Sequence, residues 1–332
     1  MSRYRWTPKL LALIVTGWLS LTACVDAEQR DFEYVERLAY ALGGVYEAEG
    51  FPPLVRYPTR RALTLAVVDE RINLLEFADL HRCDLGALVG ERNSPQNRLA
   101  GAAQRFEYER EFLRRAQGCE SEAVQAVLEQ KRTALNLHAW NAIFAGHEMQ
   151  LAMGFAQPQT AVPDMEVMAA LLALVNDVDD TSAPEIDVTA LLQRLSVSSI
   201  GNRRAEWQLW RQNLTLARQL LARRTVCLSG EPTPKARHAV AVFRRYYVQG
   251  LQVEAAAKLA EDRRWLAALA KTLDSLHVAP SEFVNFYERV FAGVPGSEWS
   301  RTEAAFTAHA KAWDTFLAEC GLSVRDIAED TD

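Results

Sequence analysis

The chain lacks any long apolar run. Its most apolar stretch, residues 10–23, falls short of the roughly 20 residues a spanning helix requires, so no retained transmembrane helix is expected. No segment alternates apolar and polar residues, and there is no tandem repeat or low-complexity tract, which leaves sandwiches, barrels and solenoids without support. Basic residues are the minority. Against 37 Lys and Arg stand 43 Asp and Glu, a net charge of −6 that disfavours nucleic acid as a partner. Local chemical signatures are also missing: no Gly-x-Ser-x-Gly elbow, Walker-type loop, dinucleotide fingerprint or His-Glu-x-x-His occurs. Nucleophilic hydrolysis, nucleotide use and zinc catalysis therefore have no motif behind them, and no cofactor or metal is expected.

What is present begins at the N-terminus. Arg3, Arg5 and Lys9, with no acid among them, precede the uncharged run 10–23, the order of a signal-peptide n-region and h-region. The exit, Leu21-Thr22-Ala23-Cys24, resembles the lipobox of bacterial lipoproteins at every position. That resemblance implies removal of residues 1–23, a diacylglycerol on the Cys24 thiol and an acyl group on its new amine. Several acyl chains hold firmly where one holds marginally, at roughly 0.8 kcal/mol per buried CH₂. Residues 24–30 are then a lipidated tether, the lipid bilayer is the first expected partner, and the body faces the periplasm. Val25 stands where the enteric sorting pattern places the Asp that retains lipoproteins at the inner membrane, so the outer membrane is expected. Loss of the leader leaves 34 basic against 43 acidic residues, a charge of −9.

Beyond the leader the periodicity is helical. Phe32, Val35, Leu38, Ala39 and Leu42 recur at three- and four-residue steps over 31–43, and Gly43-Gly44 weakens the end of that helix. Pro52, Pro53 and Pro58 make the next stretch extended. Further helices are expected over 68–83, 96–117, 121–154 with Ser121 at the cap, 165–175, 188–195, 202–226, 235–277 with a bend at Gly250, 281–291 and 302–320. The fold class is therefore all-α, an array of antiparallel neighbours joined by short loops. Residues 177–187, acidic and containing Pro184, are the expected linker between helical halves 31–176 and 188–332, which can pack as one domain.

Four cysteines remain in the body, Cys83, Cys119, Cys227 and Cys320, in a compartment where disulfides persist. Three connectivities are open, of which pairing within each half, Cys83 with Cys119 and Cys227 with Cys320, is preferred. Each bridge would stabilise by roughly 4 kcal/mol in the chain-entropy model. Cys320 shares a helix face with Phe306, His309, Trp313 and Phe316. A zinc site at His81 and Cys83 lacks paired Cys-x-x-Cys spacing.

Other constellations are thinner. Glu120-Ser121 and Gly146-His147-Glu148-Met149-Gln150 resemble two signatures of lytic transglycosylases, yet on one continuous helix they lie roughly 40 Å apart. His138 and His147 fall on opposite faces of that helix and cannot share an ion. Arg204, Arg211 and Arg218 repeat every seven residues beside an apolar seam of Trp207, Trp210, Leu214, Ala217 and Leu221. This Arg row is the candidate interaction surface for anionic headgroups or an acidic partner, with a solvated ridge over a Trp core as the plainer alternative.

The lipobox, Ile72-Asn73-Leu74-Leu75-Glu76-Phe77, Cys83, Arg92-Asn93-Ser94, Gln104-Arg105-Phe106, Tyr108-Glu109, Trp313 and Cys320-Gly321 together resemble an uncharacterised lipoprotein family of gammaproteobacteria. That family, of unknown function, transfers no catalytic residue. Arg92, Asn93 and Gln104 are the polar contacts that a ligand loop there would use, or else parts of a hydrogen-bonded turn. The expectation for function is a membrane-anchored periplasmic lipoprotein acting as an interaction or scaffolding protein of the envelope. A binding lipoprotein for an envelope glycan, lipid or peptide is the alternative, and an envelope hydrolase the third reading.

Overall fold

The computed structural model describes residues 26–46, 53–68, 80–154, 164–176, 186–222, 227–228 and 230–323, excluding the side chains of residues 26–32, 98 and 123. Cys24 and most of the 177–187 segment lie outside that set. The described chain is all-α apart from one two-residue hairpin. It divides into two compact units of interleaved segments: a first of Met1–Pro52, Trp207–Ala257 and Arg301–Asp332, and a second of Pro53–Glu206 and Lys258–Ser300. The expected linker thus falls inside the second unit. The chain changes unit four times, once between Pro52 and Pro53 and three times within long helices, at residues 206/207, 257/258 and 300/301, where no acidic loop marks the passage.

In the first unit, α1 (Asp26–Leu42) buries Val35, Leu38, Ala39 and Leu42 of the expected stripe, and Tyr34 as well; the Phe32 side chain lies outside the described set. Gly43 ends it. With φ at +66°, Gly43 turns the chain so that its amide reaches the Tyr40 carbonyl at 3.1 Å and that of Gly44 the Ala39 carbonyl at 2.8 Å. Two antiparallel strands follow later, β1 (Cys227–Leu228) and β2 (Glu231–Pro232), and lead into α10 (Pro234–Val242). Thr233 caps α10 by accepting from the Ala236 amide, and Pro234 occupies the first turn, where its missing N–H has no cost. Residues 234–276 are helical throughout, as expected, with Phe243–Leu251 wound as a π-helix where a bend was expected at Gly250. Both α10 and the π-wound segment pack on α1. From Trp207 onward α9 (Ile200–Ala222) supplies the buried seam Trp207, Trp210, Leu214, Ala217 and Leu221, and from Arg301 onward α13 (Glu298–Glu319) supplies His309, Trp313 and Phe316.

The second unit is built on α4 (Ala102–Ala116) paired with α5 (Glu122–Ile143), with α8 (Val188–Ser196) packed on α4, on α6 (His147–Ala152) and on α7 (Met165–Asn176). The single helix expected over 121–154 is broken. α5 stops at Ile143, and α6 starts at His147 behind an extended Gly146. Phe144 stacks on Trp140 at 4.7 Å while its carbonyl accepts from the Tyr57 hydroxyl, so a long-range bond takes the acceptor that continued helix would have used. Ser121 does stand at the N-cap of α5, without a side-chain capping bond. A short helix not expected from sequence, α3 (Gly86–Arg92), precedes the turn at 93–96. The start of α9 requires glycine: a Cβ at Gly201 would stand 2.1 Å from the Gly154 carbonyl oxygen. α2 (Arg60–Leu63), the first stretch of α9, most of α11 (Gln252–Leu276) and α12 (Ser281–Val290) complete this unit.

Candidate functional site

The four body cysteines pair as preferred. Cys83 joins Cys119 in the second unit, with Cα atoms 5.3 Å apart, and Cys227 joins Cys320 in the first, at 5.1 Å. Each closes its own unit. The lipidation candidate, Cys24, lies outside the described residues.

The Arg row is not one surface. Arg218 is exposed and Arg211 half-buried with its guanidinium donating to the buried Thr302 hydroxyl at 2.8 Å, both in the first unit. Arg204, in the second unit, is wholly buried. Its Nε and Nη2 donate to the Glu298 carboxylate at 2.9 and 3.0 Å, its Nη2 also donates to the Val55 carbonyl at 2.7 Å, and the Phe286 ring lies against it at 5.4 Å. The expectation of an exposed Arg204 is therefore corrected. A guanidinium can leave water only where a carboxylate and carbonyls meet its fork, and Glu298, 94 positions away and 2 % exposed, supplies that match. Neighbouring Arg203 is buried too, paired with Glu206 at 2.7 Å and Asp262 at 3.2 Å.

Glu298 and Arg204 also do something sequence reasoning missed. Together they take both backbone groups of Val55, since the Val55 amide donates to Glu298 Oε1 at 3.1 Å. Ten residues on, Asn141 does the same to Leu65, accepting from its amide at 2.8 Å and donating to its carbonyl at 2.9 Å. Between these clamps the Gln150 amide donates to the Pro58 carbonyl at 2.9 Å, and the Trp140 indole to the Leu63 carbonyl at 2.8 Å. Tyr57 enters an aromatic pocket, edge-on to Phe286 at 5.0 Å, and burial pushes its hydroxyl well above its ordinary pKa. The backbone of residues 53–65, without helix except for the single turn of α2, is thus held by side chains from distant positions. The prolines predicted its extension, whereas the clamps come from residues 76 to 243 positions away and have no local signal.

The expected ligand loop dissolves into local structure. Gln104 accepts from the Gly101 amide at 3.3 Å at the start of α4, and Asn93 is the C-cap residue of α3. Arg92 lies over the Tyr108 ring at 5.6 Å, beside the buried ion pair of Lys131 and Glu109. Burial pulls the nearby His138 imidazole down, against the Glu109 carboxylate and together with Lys131, Arg92 and Arg105. His138 on α5 and His147 on α6 remain apart in sequence and element, and among the described residues no three His, Cys, Asp or Glu are placed to hold a metal ion.

The most perturbed titratable cluster lies in the first unit. The Trp313 indole donates to the Tyr34 hydroxyl at 2.8 Å, and that hydroxyl meets His309 Nε2 at 2.8 Å. Because indole only donates, the Tyr34 hydroxyl accepts from Trp313, and the imidazole tautomer sets the direction of its bond with Nε2. Tyr247 packs on the ring at 4.3 Å. Burial, and secondarily the charge of Arg218, push His309 down to about 3. Burial likewise raises Tyr34 well above its ordinary value and Tyr247 to about 12. His309 Nδ1 and both amide atoms of Asn213, fully buried on α9, have no hydrogen-bond partner among the described residues. The periodicity of α13 placed His309 on a packed face; nothing local marked Tyr34 or Asn213.

Fold and bridges together define an all-helical, disulfide-braced body. The chain belongs to the family described as "Protein of unknown function (DUF3080)", whose pattern matches residues 32–324. Neither a curated protein nor a solved structure matches it.

Proposed function

We propose that this chain is a lipoprotein of the bacterial envelope, acylated at Cys24 and facing the periplasm from the outer membrane, whose helical body serves as an interaction or scaffolding protein. The observation that carries the reading is how the recognition-type side chains are used. Arg204, Glu298, Asn141, Gln150 and Gln104 all hold this chain's own backbone, so recognition of another molecule falls to the outer faces of the helices. Two disulfides suit an oxidising compartment. No helix among the described residues is long and apolar enough to cross a membrane; in this reading the acyl group supplies the attachment. Photo-crosslinking residues placed at Tyr40, Val197 and Val284, all exposed, are expected to trap one defined envelope component in living cells from at least one position. Failure of all three to give a discrete product overturns the interaction role.

A second reading, a binding lipoprotein for an envelope glycan, lipid or peptide, is favoured by one observation, the unmatched polar atoms of Asn213 and His309. It expects Asn213→Leu to abolish retention of a small polar molecule by the purified protein. Unchanged retention, or none in the parent, removes it.

A further inference from the structure

We infer that the face formed by α1, α10 and the π-wound segment is a docking surface for anionic phospholipid headgroups. Between Glu231 and Glu254 the chain carries Lys235, Arg237, Arg244, Arg245 and His238 and not one acid, in a protein whose net charge is −6. This basic stretch packs antiparallel to α1. The Lys235 ammonium lies 3.3 Å from where a Cβ on Gly43 would stand, the His238 ring is edge-on to Tyr40 at 6.1 Å, and the Arg37 and Arg245 guanidiniums each lie 5.7 Å from the Tyr246 ring centre. Lys235, Arg237, His238, Ala241 and Arg245 are exposed, as are Arg37, Tyr40 and Val45; Tyr40 is 79 % exposed and Val45 87 %. Among the described side chains, the acids beside this patch are Glu33, ion-paired with Arg37 at 3.3 Å, Glu36, which accepts from Tyr46, and Glu231 at the hairpin, against the five cations Arg37, Lys235, Arg237, Arg244 and Arg245; Asp26, Glu28 and Asp31, with Arg30, stand at the start of α1, and their side chains are outside the described set.

Cations interleaved with the exposed Tyr40 and the half-buried Tyr246 match the headgroup layer, where amphipathic rings settle and each Lys or Arg near an anionic surface contributes about 1 kcal/mol. A bilayer is the occupant because of where α1 starts. Asp26 is two residues past Cys24, and the 17 residues of α1 extend roughly 25 Å, so an acyl anchor at Cys24 keeps the whole face within that distance of the membrane. A basic patch is also the second signal that turns acyl attachment into stable, oriented seating. The orientation rests on the anchored reading above; the charge match does not.

The test is hydrogen exchange on the full chain reconstituted into vesicles of phosphatidylcholine alone or of phosphatidylcholine with about one quarter phosphatidylglycerol. Amides of 33–46 and 234–249 are expected to exchange about tenfold more slowly on the anionic vesicles, an effect lost in about 1 M NaCl, where the Debye length is about 3 Å. A Lys235→Glu/Arg237→Glu/Arg245→Glu chain, checked for both disulfides and an unchanged melt, should lose the slowing. Equal exchange on both vesicles, or slowing that survives charge reversal, overturns the proposal, as does crosslinking of this face to an acidic protein with no response to anionic lipid. An unacylated Cys24 with salt-sensitive slowing overturns the anchor alone. An acylated Cys24 with equal exchange overturns the docking face alone.

Discussion

Arg204 and Lys235 are both cations on helices of an acidic protein, yet the second unit closes Arg204 inside against Glu298 and Val55, whereas the first leaves Lys235 in solvent at the end of α1. The same contrast runs through each unit. In the second, Arg203, Arg204, Glu206, Asp262 and Glu298 pair with one another, and polar side chains clamp residues 53–65. In the first, the interior is aromatic around Tyr34, Tyr247, His309 and Trp313, with Asn213 unmatched, and cations such as Lys235, Arg237 and Arg218 stand outside while Arg211 is half-buried on Thr302. Unmatched buried atoms are not confined to the first unit, since Trp265 Nε1 is one in the second. What separates the units is whether a distant carboxylate exists to receive a cation. Where Glu298 meets Arg204 the charge becomes architecture; where no acid interrupts residues 232–253 it becomes surface.

The largest effects should come from the bridges. Replacing Cys227 and Cys320 by alanine is expected to destabilise the first unit by about 5 kcal/mol, and replacing Cys83 and Cys119 the second by about 4 kcal/mol, because the loops closed span 93 and 36 positions. Denaturant melts with exchange measured in each unit should show each loss confined to its own unit, and a uniform loss would break the comparison. Next, Arg204→Met is expected to cost about 3–5 kcal/mol by leaving Glu298 buried and alone, with partial recovery on adding Glu298→Leu. A melt shifted no more by Arg204→Met than by Arg218→Met would show that the buried pair does not carry the second unit.

The first unit should instead respond to acid. An unfolded imidazole titrates near 6.5, and burial holds His309 down to about 3. Between those values the unfolded chain binds more protons, so this contribution is complete above 6.5 and declines by up to about 1.4 kcal/mol per pH unit as the pH falls toward 3. His309→Leu should flatten that decline; an unchanged slope would place its origin elsewhere. The smallest effect concerns the clamp. Asn141→Ala is expected to cost about 1–3 kcal/mol and to speed exchange of the Leu65 amide, and unaltered exchange there would mean that residues 53–65 are held by other contacts.

Helix identity was readable wherever an apolar stripe kept a 3.6-residue period, as with Val35, Leu38 and Leu42, and the cysteine pairing followed from keeping each bridge within one half of the chain. Two kinds of feature were not readable. The break at 144–146 falls where Tyr57, 87 positions away, donates to the Phe144 carbonyl, and periodicity across 121–154 carries no trace of that contact. The seven-residue spacing of Arg204, Arg211 and Arg218 gives a common helix face but not the partner that decides burial, which Glu298 supplies from another helix. Three of the four unit boundaries were hidden for a related reason: composition marks loops, and apart from the passage at Pro52-Pro53 this chain changes unit inside helices.

The attachment at Cys24 can be tested by intact-mass and N-terminal peptide analysis of the protein isolated from membranes. The account predicts a chain that begins at Cys24 and carries a thioether-linked diacylglycerol with an acylated amine. A chain that begins elsewhere, or one with an unmodified thiol at Cys24, would contradict it.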